Sequence, residues 1–240
     1  ANTFRNPGLV AKAITTIDHV SGGRAIMGLG GAWFGLEHQA HGIDFGRGFG
    51  ERLDWLDEAV WAIRHLLDGE EVTSSPGSHY AFDRLVLRPL PIQTHLPIMI
   101  GGTGERKTLR TVAKYADQWN AMGTPETLRH KIEVLREHCV AVGRDVAEIE
   151  FTLGVKLTIR DSEREAVRVW EAAMAHNRTP LADVADDVTF LNGTPEGIAE
   201  RLAPYVELGF RTIISEQPAP YDAETLERFI GEVKPLLERG

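Results

Sequence analysis

The chain has 240 residues, of which 42% are hydrophobic, enough apolar material for one sizeable core. A net charge of −9 without a visible basic face argues against a nucleic-acid partner. No apolar run reaches the ~18 residues of a membrane-spanning helix, so we expect no membrane partner. The one cysteine, Cys139, has no partner for an internal disulfide, which favours a packed thiol and a reducing, cytoplasmic setting.

Apolar periodicity and turn residues divide the chain into alternating strands and helices. Asn6 and Pro7 supply a cap and a first-turn proline for the first helix, and Gly22 ends it. The predicted elements, in chain order, are helix 7–21, strand 25–29, loop 33–48, helix 51–67, a hairpin-like excursion at 72–87, strand 98–100, a helix through 109–116, strand 117–121, helix 125–142, strand 151–159, helices 163–176 and 195–208, strand 211–215 and helix 223–237.

The strands are separated by helices, which predicts parallel βαβ units and an α/β fold. Five strands are predicted, whereas a parallel barrel closes with eight. We therefore expect an incomplete (β/α)8 barrel whose N-terminal strands are missing, with an open five-stranded sheet as the competing architecture. No domain boundary is visible, so residues 1–240 are expected to form a single domain.

A glycine-rich turn at 101–104 follows a short apolar strand and leads into a helix. Backbone amides at such a helix start, together with the helix dipole, favour the charge of a phosphate group. Thr103 can add a hydroxyl, and Arg106 or Lys107 a cation. The alternative is a tight turn that only requires positive φ. A P-loop is not predicted, because Arg106 replaces the glycine that precedes the lysine of that motif.

A second glycine turn, at 28–31, follows the strand at 25–29. It is a poor dinucleotide fingerprint, because Trp33 stands where the third glycine is needed. At the carboxyl end of a barrel strand, the turn instead lines the mouth of the active site. The aromatic rings of Trp33 and Phe34 are suited to cover a planar ring there.

Polar residues in the same loop suggest two kinds of chemistry. Glu37 and His38 are candidates for substrate contact or proton transfer, with loop packing as the alternative for each. His38 and His41 lack a clear third ligand, so no metal site is predicted. The sequence has no motif of a serine hydrolase, a zinc peptidase or a dithiol enzyme.

Taken jointly, these segments resemble the luciferase-like monooxygenases, and among them the coenzyme-F420-dependent oxidoreductases. The resemblance covers nearly the whole chain and is carried by residues 2–7, 9–12, 18–24, 28–33, 50–52 and 97–102, with His38, Gly42, Phe45, Ala116, Asp117, Trp119 and Asn120. It implies an eight-stranded TIM barrel with an insertion, of which this chain holds the fourth to eighth strands. Relatives often dimerise, which makes a homodimer the candidate assembly.

The resemblance also implies an activity: reduced F420, or alternatively FMN, transfers hydride to a small organic substrate or supports its oxygenation. The alternative is a non-catalytic flavin- or deazaflavin-binding barrel, or an inactive gene fragment. The predicted coenzyme-binding residues are Asn2, Thr3, Gly31, Gly101, Gly102, Thr103 and Gly104. The predicted substrate pocket contains Trp33, Phe34 and His38. Some sugar-phosphate members of the family carry a catalytic glutamate where Trp33 stands, so that activity is not implied here.

Overall fold

A computed structural model describes residues 1–238, which form two compact units. The first unit contains residues 1–120 and 131–150, and the second contains residues 121–130 and those from 151 onwards. Within each unit the paired strands run parallel, which confirms the α/β fold. The described residues contain six strands, fewer than the eight that close a parallel barrel. The single-domain organisation stays a prediction.

In the first unit, strand β2 lies between β1 and β3. Leu29 of β1 is in register with Ile100 of β2, and Gly101 of β2 with Asn120 of β3. The elements of this unit are strands β1 (Met27–Leu29), β2 (Ile98–Gly101) and β3 (Gln118–Ala121, whose last residue belongs to the second unit) and helices α1 (Pro7–Ser21), α2 (Gly35–His41), α3 (Phe49–Leu67), α4 (Thr108–Tyr115) and most of α5 (Pro125–Val142).

Helix α1 begins and ends as the sequence predicts. The Asn6 side chain accepts a hydrogen bond from Gly8 N at 2.9 Å, and Gly22 ends the helix with a φ of 69°. The carboxylate of Asp18 is buried and accepts hydrogen bonds from the backbone amides of Ile92 and Gln93 and from the Gln93 side chain. Although burial opposes ionisation, these bonds hold the pKa of Asp18 below its ordinary value.

The second unit is built around strand β4, which pairs with both β5 and β6. Lys156 of β4 is in register with Phe190 of β5, and Val155 with Ser215 of β6. The elements of this unit are strands β4 (Glu150–Ile159, whose first residue belongs to the first unit), β5 (Phe190–Gly193) and β6 (Phe210–Ser215) and helices α6 (Glu163–His176), α7 (Pro195–Glu207), α8 (Ala223–Arg228) and α9 (Lys234–Leu237), the last two joined by a π-helical segment, Phe229–Val233.

A partly buried ion pair ties the end of β4 to the start of α8. One Nη of Arg160 lies 3.0 Å from each carboxylate oxygen of Asp222, and the guanidinium also reaches Glu224 at 3.3 Å. Asp222 caps α8 by accepting from the backbone and hydroxyl of Thr225. Burial opposes ionisation of Asp222, but the bonds from Arg160 and Thr225 outweigh it and lower its pKa.

Two elements differ from the sequence prediction. The loop predicted at 33–48 contains helix α2, and strand β5 was not predicted. The excursion is confirmed, since Val72 and Leu85 form an antiparallel bridge. Cys139 is buried on α5, and burial raises the pKa of its thiol, which agrees with a packing role. Among residues 1–238, no helix combines the length and the apolar character needed to cross a membrane.

Candidate active site

The two glycine turns of the first unit lie side by side. Strands β1 and β2 are parallel neighbours, so the turns at 30–31 and 101–104 leave the sheet at the same edge. A Cβ atom built on Gly101 would lie 3.9 Å from the carbonyl oxygen of Leu29, the last residue of β1. The carboxyl ends of parallel strands are where α/β proteins bind ligands, so this edge is the candidate active site.

The turn after β2 is held to β3 by two hydrogen bonds. Gly102 donates its backbone N–H to the Asn120 carbonyl at 3.0 Å, and the indole Nε1 of buried Trp119 donates to the Gly102 carbonyl at 2.8 Å. Gly102 has a φ of 121°, a conformation that residues with a side chain rarely adopt. The turn is therefore shaped by glycine and anchored from the neighbouring strand.

Backbone amides beyond this anchor have no protein acceptor. The N–H groups of Thr103, Gly104 and Arg106 donate no hydrogen bond to any residue within 1–238, and helix α4 begins shortly after them at Thr108. A Cβ atom on Gly104 would lie 2.9 Å from the Thr108 hydroxyl oxygen, so packing excludes a side chain at this position and leaves the backbone uncovered. Free amides before a helix are the donors that a phosphate group requires, so the residues present fit a coenzyme phosphate.

Of the two cations considered at this turn, the structure leaves one available. The Lys107 ammonium is bound to the Asp54 carboxylate at 2.7 Å and to the Gly50 carbonyl at 2.9 Å. Arg106 is exposed and forms no ion pair with another described residue. Arg106 is therefore unpaired among the described residues, whereas Lys107 fastens α4 to α3.

The turn after β1 contains one glycine that packing requires and one that it does not. A Cβ atom on Gly31 would lie 2.7 Å from Leu53 of α3, whereas a Cβ atom on Gly30 would meet nothing within 4 Å. Ala32 follows with a φ of 61°. Gly31 thus lets the turn pack on α3, and its predicted contact with the coenzyme is untested.

Asn2 and Thr3 adjoin this turn, as the resemblance implies. The Asn2 backbone donates to the Gly30 carbonyl at 3.1 Å. With its side-chain nitrogen turned toward Gly30, the amide of Asn2 also donates there at 2.9 Å and accepts from Leu56 N at 3.2 Å. Asn2 is buried, and the Tyr80 hydroxyl donates to its carbonyl at 3.1 Å. Asn2 therefore positions Gly30, and contact of Asn2 or Thr3 with a coenzyme stays a prediction.

His38 is buried, with both ring nitrogens engaged. Nδ1 lies 2.8 Å from the Phe34 carbonyl and Nε2 lies 2.6 Å from the Thr3 hydroxyl. The ring packs between Phe4 and Phe45, with centroid distances of 4.5 and 4.4 Å. This arrangement favours the packing alternative over proton transfer, and it also leaves His38 no free nitrogen for a metal. Residues 1–238 contain no group of three or more histidine, cysteine or acidic side chains that could hold a metal ion.

The other predicted site residues in this loop are exposed. The Trp33 side chain is 82% exposed and Phe34 45%, and their rings lie 5.2 Å apart. Glu37 is also exposed, on helix α2. The structure therefore leaves all three accessible to a ligand, and their contact with substrate stays a prediction.

The sequence interpretation gave no role to Arg52, which organises this loop. Arg52 is buried, donates to the carbonyls of Ala32 at 3.2 Å and Phe45 at 2.9 Å, and lies 3.6 Å above the Phe45 ring. Arg52 and Trp119 both fell within the segments that carry the family resemblance. That resemblance was the only signal in the sequence that could have singled them out.

Fold and site together define a class: an α/β protein of parallel strands with a glycine turn at their carboxyl ends whose free amides fit an anion. The family model described as luciferase-like monooxygenase matches residues 1–212, which is most of the chain. The chain belongs to this family, as its resemblance predicts.

Curated relatives support the same placement. An uncharacterized protein of Mycobacterium tuberculosis is 32% identical over 140 residues, which cover 58% of this chain and 48% of that protein. The chain thus spans about half the length of that relative. An F420-dependent glucose-6-phosphate dehydrogenase of Kineococcus radiotolerans is 28% identical over 97% of this chain and 74% of its own length.

Solved structures share the fold. The F420-dependent tetrahydromethanopterin reductase of Methanopyrus kandleri aligns with a TM-score of 0.77 at 18% identity, over 97% of this chain and 80% of its own. The FMN-bound oxygenating component of 3,6-diketocamphane monooxygenase from Pseudomonas putida aligns with a TM-score of 0.68 at 17% identity, over 97% of this chain and 76% of its own. At these identities the likeness shows the luciferase-like TIM-barrel fold alone.

Proposed function

We propose that this chain is an oxidoreductase that uses reduced F420, with FMN as the alternative, to act on a small organic substrate. The observation that carries the proposal is the glycine turn at 101–104, in which Gly102 is anchored to Asn120 while the amides of Thr103 and Gly104 have no acceptor among residues 1–238. Membership of the luciferase-like family supports it, since members of this family are F420- or FMN-dependent oxidoreductases.

The residues of the first unit have separate tasks in this proposal. The amides of Thr103 and Gly104 bind the coenzyme phosphate, and Arg106 adds a positive charge. Gly30 keeps the backbone open where the ring system enters, while Trp33 and Phe34 contact the substrate and exclude water. When bound, the reduced coenzyme supplies the hydride, or, for FMN, the reducing equivalents for oxygenation, so no protein nucleophile is needed.

F420 is proposed ahead of FMN because of the curated relatives. Four of the relatives that match over 97% or more of this chain are F420-dependent glucose-6-phosphate dehydrogenases. The solved structures include enzymes of both coenzymes. We do not propose glucose 6-phosphate as the substrate, because Trp33 stands where sugar-phosphate members carry glutamate.

The test is a titration of the 240-residue chain with four ligands in two pairs: F420 and its deazaflavin core without the phosphate tail, and FMN and riboflavin. We expect F420 to bind more tightly than its core, because only F420 presents a phosphate to the turn. Quenching of the ring fluorescence reports the affinity, and the absorbance of the reduced ring then reports turnover with candidate carbonyl substrates.

The outcomes separate the alternatives. Binding of F420 with oxidation of its reduced form by a carbonyl compound supports the enzyme. Binding without turnover of any substrate supports the non-catalytic coenzyme-binding barrel. Equal affinity for the phosphate-bearing and phosphate-free member of each pair contradicts the assignment of the turn.

A further inference from the structure

A cavity of about 320 Å³ in the first unit collects basic side chains. It lies between α1 and the segment that follows the excursion. Its lining residues are Lys12, Thr15, Thr16, His19, Leu87, Arg88 and Pro89. Three of these carry basic side chains and none carries a carboxylate, although the whole chain has a net charge of −9.

Long-range contacts bring these residues together. Lys12, Thr16 and His19 follow one another at helical spacing and share a face of α1. Arg88 comes from a segment some seventy residues later, which two contacts hold against α1. His19 Nε2 lies 2.8 Å from the Leu90 carbonyl, and the Asp18 carboxylate accepts from Ile92 N at 2.8 Å. The cavity is thus a product of the fold.

The positive charges of Lys12 and Arg88 have no carboxylate partner among the described residues. Lys12, His19 and Arg88 form no ion pair with any other residue that the structure describes. The nearest acid along α1, Asp18, already accepts three hydrogen bonds from Ile92 and Gln93. Positive charges gathered without counter-charge repel one another, and a bound anion relieves that repulsion.

The free donors define the chemistry of the ligand. Arg88 uses one Nη to donate to the Leu87 carbonyl at 2.6 Å, which leaves the rest of its guanidinium fork without a described acceptor. Lys12 is exposed and has no described partner. The hydroxyls of Thr15 and Thr16 donate to backbone carbonyls, so the donors available to a ligand are cationic. Arg88 and Lys12 line the same cavity, and a guanidinium fork together with an ammonium is suited to phosphate.

We propose that this cavity binds a small phosphate-bearing molecule, held by Arg88 and Lys12. A phosphate monoester carries about −1.5 to −2 charges at neutral pH, which matches two cations better than a single carboxylate does. Leu87 and Pro89 give the cavity apolar walls for a small organic body. The site shares no residue with the turn at 101–104, so it goes beyond the proposed function and can fail independently of it.

The test is an NMR titration of the 15N-labelled chain with inorganic phosphate and with glycerol 3-phosphate, at constant ionic strength maintained with sodium chloride. The reporters are the His19 ring and the backbone amides of residues 87, 88 and 90, which are local to the cavity. We expect saturable shifts at these positions. Replacing Arg88→Gln or Lys12→Gln should weaken binding about tenfold or more, because each removes a charge-assisted hydrogen bond.

The matched control is Arg84→Gln. Arg84 lies in the excursion just before Arg88, carries the same charge, pairs with Glu71 and does not line the cavity. All three replaced side chains are exposed, so each variant should keep its fold. Circular dichroism verifies this. The phosphate affinity of the Arg84→Gln variant should stay within about twofold of the parent. The Arg84–Glu71 pair is solvent-exposed, so water and salt screen its effect on a ligand in the cavity.

Each outcome decides the proposal. Saturable binding that Arg88→Gln weakens and Arg84→Gln spares supports it. Tighter binding of glycerol 3-phosphate than of inorganic phosphate then identifies an organic ester as the ligand class, and equal binding identifies free phosphate. Shifts that do not saturate, that sodium chloride alone reproduces, or that Arg84→Gln weakens as much as Arg88→Gln would overturn it.

Discussion

Thr3 and His38 meet across 35 positions of sequence through a 2.6 Å contact between Oγ1 and Nε2. The Phe34 carbonyl can only accept, so Nδ1 of His38, at 2.8 Å, carries the ring proton. In the neutral ring, Nε2 is then the acceptor for the Thr3 hydroxyl. This pair joins the start of the chain to helix α2 beside the candidate site, and it constrains what His38 can do chemically.

The first prediction concerns the tautomer of His38. In the neutral ring, we expect long-range 1H–15N NMR to find the proton on Nδ1. Thr3→Val should lower the free energy of unfolding by about 1 kcal/mol, because it removes one hydrogen bond. A ring protonated on Nε2 alone would contradict the arrangement and restore His38 as a candidate for proton transfer.

The second prediction separates folding from coenzyme binding at the turn after β1. Gly30→Val should preserve the melting temperature, since its side chain enters open space, and weaken coenzyme binding about tenfold or more by blocking the approach to the backbone. Gly31→Val should instead destabilise the fold by about 1–3 kcal/mol, because its Cβ atom would lie 2.7 Å from Leu53. Thermal melting and ring fluorescence measure the two effects. Unchanged coenzyme affinity in the Gly30 variant would exclude this edge as the ring entrance.

The third prediction concerns the hydroxyl at the phosphate turn. Thr103→Val is nearly isosteric and removes a hydroxyl that has no described partner, so the melting temperature should not change. Affinity for F420 and FMN should fall about tenfold, because a hydrogen bond to a charged group is lost. Affinity for riboflavin and for the phosphate-free deazaflavin should not fall. An equal loss for both kinds of ligand would mean that Thr103 contacts the ring.

The fourth prediction concerns Trp33. Since its side chain is 82% exposed, Trp33→Ala should change the free energy of unfolding by no more than about 0.5 kcal/mol. If Trp33 contacts the substrate, KM should rise while the affinity for coenzyme is kept. Leu9→Ala, at a 64% exposed position of α1, is the control and should alter neither quantity.

The presence of Trp33 in place of a glutamate also predicts that the parent chain does not oxidise glucose 6-phosphate with F420. Measurable turnover of glucose 6-phosphate would refute that inference.

The fifth prediction is a dependence of stability on pH through Asp222. Its folded pKa is lowered, so the pair with Arg160 stabilises the fold above about pH 4, the ordinary range of an aspartate, and this contribution is lost as pH falls through the lower folded pKa. Asp222→Asn should cost about 1–3 kcal/mol at pH 7 and flatten the loss of stability as pH falls below about 4.

The control for this pair is Asp161→Asn. Asp161 is 88% exposed and pairs with Arg228 at 2.9 Å, and an exposed pair contributes about 0–1 kcal/mol. Thermal melting at a series of pH values compares both variants with the parent. If both variants lose stability equally at pH 7, burial of the Arg160 pair is not what stabilises the second unit.

The helices with local signals were predictable from sequence. Pro125–Val142 and Glu163–His176 were predicted with the bounds that the structure shows. The second begins at a cap in which Ser162 accepts from Glu165 N, a signal contained within four residues. Strand β5 was missed because its four residues are defined by pairing with β4, a contact more than thirty residues away. Helix α2 was missed because it has seven residues and no sustained apolar period.

The candidate site was predictable in part for the same reason. The turn at 101–104 is recognisable in the sequence because glycines follow a short apolar strand. That local pattern also predicts backbone amides without a protein acceptor. The roles of Lys107 and Trp119 depend on Asp54 and on Gly102, which lie 53 and 17 positions away. Periodicity carries no information about such pairs, so only the folded chain reveals which cation is free and what anchors the turn.

The contacts of Trp119 and Arg52 are independent of each other. Trp119 fastens the turn after β2, whereas Arg52 fastens the loop after β1 through Ala32 and Phe45. A protein engineer can therefore exchange the exposed side chains of Trp33 and Phe34 while retaining Phe45 and Arg52, and the turn at 101–104 would keep its shape. The loop after β1 could then be varied separately from the turn after β2.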